Sequence, residues 1–222
     1  MKILGVRVDN LTINQVLEKI EGFLADGRQH YIVTLNPEFL VKAQKDQSFK
    51  QILNQADLAL PDGIGLIFAA WFLGQSLKQR IAGVDLMEKI CQKAAQNGWP
   101  VCLIGGQSDI AQKAGANLKK KYPGLEINQN NPKILFVALG APKQEKWIVE
   151  NLKNIPSVKL AIGVGGSFDF ISGQVRRAPR LIRFLGLEWL WRLMRQPWRI
   201  KRIFRAIIIF PWLVLKHGFN QD

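Results

Sequence analysis

The sequence predicts an α/β fold: a Rossmann-like, largely parallel sheet flanked by helices, with a C-terminal amphipathic helical appendage. Three observations predict it. Short β-branched runs alternate with segments whose apolar residues recur at helical spacing, several of those runs end in glycine-containing turns, and near residue 178 the pattern changes to aliphatics, tryptophans and arginines. The 222 residues, 48% hydrophobic and 22% charged, suit one globular core and exclude intrinsic disorder and collagen-like or repeat architectures.

Along the chain, Ile3–Val8 reads as a strand, Ile13–Ala25 as a helix, Tyr31–Leu35 as a buried strand and the segment from Pro37 as the helix after it. The alternation continues with helix Val84–Gln96, strand Val101–Ile104, helix Ile110–Lys121, strand Ile134–Leu139, helix Lys143–Leu152 and strand Leu160–Val164. Open α/β sheets bind ligands outside the carboxyl ends of their strands, so the glycine turns after these strands should converge on one crevice. One connection departs from the rhythm. Only NQNNPK separates LEI (125–127) from ILFVALG (134–140), whereas a parallel crossover takes about a dozen residues or more. Either LEI is not a parallel neighbour of that strand, or a segment is lacking there.

The charge is uneven. Of a formal +14, the last fifty residues carry +9, and they also hold four of the seven tryptophans, Trp189, Trp191, Trp198 and Trp212. Arginine interleaved with tryptophan suits either nucleic acid or an anionic bilayer surface. The longest apolar run, Ala206 to Leu215, is interrupted by Pro211 and is too short to span a bilayer, which takes about 20 residues. A boundary near Gly173–Pro179 therefore divides a core, residues 1–177, from a basic, Trp-rich, membrane-associating appendage, residues 178–222. Arg192, Arg195, Arg199 and Arg202 would share one helical face if the helices on either side of Pro197 were nearly collinear. Cys91 and Cys102 lie in apolar contexts without metal spacing, and no signal peptide precedes the first strand, so a reducing cytoplasmic compartment is expected.

Four segments are candidates for chemistry. In Thr34-Leu35-Asn36-Pro37-Glu38, Asn36 suits an N-cap and Pro37 the first helical position, so Thr34 and Asn36 would face the crevice, or form a strand-to-helix cap and nothing more. In Asp57-Leu58-Ala59-Leu60-Pro61-Asp62-Gly63-Ile64-Gly65, Asp62 reads either as a carboxylate raised by its aliphatic neighbours toward a general base's range or as a cap for the helix starting at Gly63. Gly105 and Gly106, with Gln107-Ser108, offer backbone amides to a phosphate, or make a tight turn. After Gly140, Gln144 sits in a first helical turn and either donates to a sugar or is solvated. No Asp-x-Asp occurs, and His30 and His217 lie far from each other and from any carboxylate cluster, so neither a metal site nor a hydrolytic triad is expected.

The blocks LGVRVDNLT, TLNPEFLVKA, ADLALPDGIGL, RIAGVDL, LIGG, FVALGAPKQEKWI, AIGVGGSFDFISGQVRRAP and GLEWLWRL, in this order, resemble the WecG/TagA/CpsF family of bacterial glycosyltransferases over roughly residues 3–205. The resemblance implies inverting transfer of a sugar, often N-acetylmannosamine or its uronic acid, from a UDP-sugar to an amino sugar on a polyprenyl diphosphate. It implies a peripheral site on the inner face of the cytoplasmic membrane. Asp62 matches the family's proposed base; Thr34, Asn36, Arg80 and Gln144 match its active-site polar positions; Arg192, Arg199 and Arg202 match basic appendage residues that reach the diphosphate. Gly105, Gly106, Gly140, Gly165 and Gly166 are then candidates for the nucleotide and diphosphate. Family members carry a further helix between the strands matching LEI and ILFVALG.

Chemistry is consistent with that carry-over: inverting transfer needs one base for the acceptor hydroxyl and positive charge for the departing UDP, and without a metal motif arginine forks supply the charge. The expected partners are a UDP-sugar, a polyprenyl-diphosphate amino sugar and an anionic membrane surface, with a homo-oligomer left open; no cofactor, metal or nucleic acid is expected. The alternatives are a nucleic-acid-binding module using the Arg/Trp tail, disfavoured by the aliphatic Ala206–Leu215 stretch, and a nicotinamide-dependent enzyme.

Overall fold

The computed structural model describes residues 1–106 and 109–217, so Gln107 and Ser108 of the expected phosphate turn lie outside the described residues. Its centre is a five-stranded parallel sheet in the order β4-β3-β7-β6-β5. The strands are β3 (His30–Leu35), β4 (Leu58–Pro61), β5 (Val101–Gly105), β6 (Ile134–Ala138) and β7 (Leu160–Gly163). A separate antiparallel hairpin, β1 (Lys2–Ile3) and β2 (Val6–Arg7), precedes them.

That hairpin corrects the expected Ile3–Val8 strand. Leu4 and Gly5 both take positive φ, 52° and 72°, so the chain reverses in the middle of the apolar run and joins no sheet but its own. Glycine accounts for one of those two conformations; nothing in the side chain of Leu4 announces the other.

Strand side chains alternate between two packed faces. On one face Ile32, Leu60, Ile134, Phe136, Leu160 and Ile162 join a core with helices α1 (Ile13–Ala25), α5 (Gly83–Asn97) and α6 (Ile110–Lys121). On the other, Val33, Leu35 and Ala59 pack with α2 (Pro37–Ala43), α3 (Gln47–Gln55) and α4 (Ile64–Phe72), while Leu135, Val137 and Ala161 pack with α7 (Lys143–Asn151). Burial on both faces makes the strands read as nearly continuous apolar runs.

The short connection before β6 has a simple geometry. Ile127 forms one isolated parallel bridge to Val101, the first residue of β5, on the edge away from β6. The chain then stays at the amino end of the sheet, where Lys133 and Ile134 donate to Pro100 O, and Ile134 pairs with the same Val101 from the other side. LEI is thus no neighbour of β6. A crossover must climb a strand and return; here the outer strand is never completed, so six residues suffice.

Beyond β7, α8 (Ser167–Ile171) is followed by α9 (Arg180–Phe184), α10 (Glu188–Arg195), a 3-10 turn at Pro197–Arg199, α11 (Ile200–Phe204), a π-helical turn at Arg205–Ile209 and α12 (Phe210–His217). Pro211 lacks an amide and crowds the carbonyl four residues back, which the wide π turn accommodates. Phe210 and Val214 are buried against the α2–α4 side of the core, so α12 is packed onto it. Among the described residues no helix is long and apolar enough to cross a membrane.

Candidate active site

Strand order changes direction between β3 and β7: the chain leaves β3 outward to β4, crosses to β5 at the far edge and returns through β6 to β7. The carboxyl ends of β3 and β7 therefore flank a crevice, the place where open α/β sheets bind ligands. Thr34 at the end of β3 is buried, and its Oγ1 donates to Gly163 O of β7 at 3.0 Å, tying the two strands at this point. One residue on, Asn36 caps α2, its Oδ1 accepting from Glu38 N and Phe39 N at 3.0 and 3.3 Å, with Pro37 in the first turn. Asn36 also lines the cavity, so the segment is a strand-to-helix cap but not a cap alone.

Asp62 ends β4 on the same cavity wall. It does not cap α4, whose N-cap Gly63 has no side-chain partner. Instead Asp62 Oδ2 accepts from the amide of Gly83, the first residue of α5, at 3.2 Å. Gly63 and Gly65 are required by packing: a Cβ on either would lie 2.5 or 2.8 Å from the ring of Pro37. Burial pushes the Asp62 carboxyl up to about 6, opposed by the Gly83 amide and by Arg80. A carboxyl in that range takes up and releases protons near neutrality, as a general base must.

The opposite wall is made of glycine loops. Gln144, in the first turn of α7, is buried rather than solvated, and its Oε1 accepts from Gly140 N at 3.1 Å and Gly165 N at 3.0 Å. Its Nε2 donates to Glu145 Oε1 at 2.6 Å. Gln144 is thus a staple between two loops, and a Cβ on Gly163 would meet it at 2.6 Å. Burial pushes Glu145 up to about 7.

Three appendage arginines close the cavity. Arg192 reaches Asp169 Oδ2 at 3.3 Å and Gly166 O at 3.4 Å, its guanidinium 4.5 Å from the Phe170 ring centre. Arg199 approaches the same Asp169 oxygen at 3.8 Å, and Arg202 Nε donates to buried Glu38 at 2.7 Å. Arg192 Nε and Arg199 Nε are buried with no hydrogen-bond partner. Burial, with Arg192 and Arg202 adjacent, lowers Arg199 to about 10. Clustered, partly desolvated guanidiniums with unused donors have the chemistry that suits a polyanion. Arg195 does not join them: α10 ends there, Gln196 turns the chain, and Arg195 lies over Trp191. The helices around Pro197 are not collinear, which corrects the four-arginine alignment.

Two expected groups lie outside the cavity lining. Arg80 bonds appendage groups, Arg183 O at 3.4 Å and Glu188 at 4.0 Å, and acts on Asp62 through its charge. Gly105 and Gly106 end β5, farther along the sheet, and Gly106 N donates to Ala138 O. Four positions that hold the site residues or the appendage in place were not singled out by the sequence reading: Glu38, Asp169, Gly83 and Arg177, whose guanidinium joins Asp85 of α5 at 2.8 Å to Glu188 of α10 at 3.3 Å. A signal existed for Glu38, a lone acid in the otherwise apolar start of α2.

A sequence model of the glycosyl transferase WecG/TagA/CpsF family matches this chain over residues 1–129 and 125–222. The chain belongs to that family. It is accordingly a glycosyltransferase, and the break between the two matched stretches coincides with the short connection before β6. Among its relatives, the N-acetylglucosaminyldiphosphoundecaprenol N-acetyl-beta-D-mannosaminyltransferase of Staphylococcus aureus strain MRSA252 is 33% identical over 234 residues, covering 96% of this chain and 91% of the relative. Its counterparts in strains MW2 and NCTC 8325 are each 32% identical over the same shares. An aligned length above that of the chain means that the transferases carry residues with no counterpart here.

Proposed function

We propose that this chain transfers N-acetylmannosamine or a related sugar from a UDP-sugar to an amino sugar on a polyprenyl diphosphate, with inversion and without a metal. The observation that carries the proposal is a single raised carboxyl, Asp62, in one cavity with three crowded arginines. The cavity encloses about 140 Å³, below the roughly 300–1,000 Å³ of pockets that take drug-sized ligands, so it suits one reacting sugar while the nucleotide lies outside, over the strand ends toward the Gly105–Gly106 turn.

Asp62 removes the proton of the acceptor hydroxyl as that oxygen attacks the anomeric carbon from the face opposite the leaving group. The bond from that carbon to the UDP oxygen breaks, and Arg192 and Arg199, which share Asp169, take up the charge that develops on the departing diphosphate. The amides of Gly140 and Gly165, set by Gln144, line the donor side. Exposed Phe184, Met194 and Trp198, set among the arginines of α9 to α11, support a site that works at an anionic membrane surface, on the side that supplies UDP-sugars. The test is transfer from UDP-N-acetylmannosamine to a polyprenyl-diphosphate N-acetylglucosamine in EDTA: product of inverted configuration is expected, and full dependence on a divalent ion or retained configuration overturns the mechanism.

A further inference from the structure

The Asp62 cavity continues into a second, larger one of about 610 Å³ that runs away from the catalytic carboxyl between α4 and the 203–215 segment. Asn36, Arg192, Arg199 and Arg202 line both and form the neck between them. Past the neck, the one charged group among the described residues is Glu38, held below the usual carboxylate range, against its burial, by Arg202 and Lys42. The remaining walls are apolar or aromatic. Phe68, Trp71 and Phe72 of α4 stand along one rim and Ile207, Pro211 and Leu215 along the other. The rims are open to the exterior: Phe68 is 64%, Trp71 76% and Leu215 62% exposed. An exposed aromatic-aliphatic border of this kind lies in a bilayer interface rather than in water.

We infer that this groove seats the first prenyl units of a lipid diphosphate, which enters sideways from the membrane between α4 and α12. The inference rests on the lipid-diphosphate acceptor proposed above and adds where its chain lies. Cationic neck and apolar trough succeed one another in the order of an amphiphile with a diphosphate head and a hydrocarbon tail: Arg202, paired with Glu38 on the groove side, meets the head at the mouth of the Asp62 cavity, and Arg192 and Arg199 are left to the departing UDP. The volume takes only the start of a long chain, so the remainder stays in the bilayer. The core helix α4 is then as much a part of the membrane-facing surface as the appendage.

The test is binding of a fluorescent short polyprenyl diphosphate bearing no sugar, followed by anisotropy with the full chain. Ala206→Trp, at a half-buried wall position, fills the groove; Phe68→Ser with Trp71→Ser strips an exposed rim that the fold does not need. Both are expected to weaken the prenyl ligand by roughly tenfold or more while UDP and inorganic diphosphate bind within about twofold of wild type. Unchanged prenyl affinity in both variants overturns the inference, as does a parallel loss of diphosphate binding. Sedimentation separates the other occupant: if Ala206→Trp dissolves a dimer and leaves prenyl affinity intact, a second copy fills the groove and the inference falls. Sugar transfer is scored independently. Prenyl binding as expected without transfer leaves the groove standing and removes the transferase mechanism, whereas wild-type transfer by both variants does the reverse.

Discussion

Asp62 accepts a hydrogen bond from the amide of Gly83, at the start of a helix that begins some twenty residues after it, and not from the helix that follows it directly. The carboxyl is thereby fixed by the positive end of α5, yet its burial outweighs that support and leaves it raised to about 6.

A base of this kind gives a rate that climbs with pH through about 6, since only the ionised carboxylate accepts the proton. Asp62→Asn, which keeps the acceptor for Gly83, is expected to lower kcat by about 100- to 10,000-fold with UDP affinity within a few-fold. Steady-state kinetics across pH 5–8 and calorimetric titration with UDP check both.

The same substitution should stabilise the protein, and the sign follows from linkage. Asp62 holds its proton more tightly folded than unfolded, so the wild type loses stability as pH rises from the unfolded value near 4 through about 6. Asp62→Asn removes that loss. Thermal melts should show a gain on the order of 2 kcal/mol at pH 8 and none below pH 4.

Arg192→Ala and Arg199→Ala should each cost about 100-fold in kcat/KM, and Arg199→Lys should not rescue, because an ammonium cannot make the forked contact. Arg195→Ala, whose side chain lies on Trp191 outside the cavity, should stay within about twofold of wild type. Turnover of the four variants side by side is the measurement.

Gln144→Ala releases the amides of Gly140 and Gly165 and should lower kcat/KM for the donor by about 10- to 100-fold through misplacement, without moving the acid limb that belongs to Asp62. A shifted limb would instead couple Gln144 to the base.

Phe210→Ala should destabilise the whole protein by about 3 kcal/mol or more in denaturant unfolding, because this fully buried ring fastens α12 to the core. A loss confined to membrane binding would show a detachable tail instead.

Elements dictated by neighbours in sequence were readable. Ile13–Ala25 begins at Thr12, whose capping box with Gln15 is written in the residues themselves, and Pro37 after Asn36 announces α2. Parallel strands buried on both faces betray themselves as apolar runs, so four of the five strands of the sheet were legible, while the four-residue β4, Leu58–Pro61, was not read as a strand. Contacts between distant segments left little trace. Nothing local tells that Asp62 turns toward Gly83, that Arg195 falls away at Gln196 while Arg192 and Arg199 share Asp169, or that Ile127 stops after a single bridge. Glu145 looked like one more charge in a polar first turn, whereas its place beneath Gly163 leaves one oxygen buried and unpartnered.

Glu38 and Asp169 have a consequence for how fast the site can fill. Each already grips the guanidiniums that a diphosphate would claim, so an arriving ligand trades places with a resident carboxylate instead of gathering three wandering side chains. Ordering is settled before the encounter, and what remains is an exchange of one anion for another. A nucleotide diphosphate leaving the site would benefit equally, since both acids stand ready to recapture the arginines it relinquished.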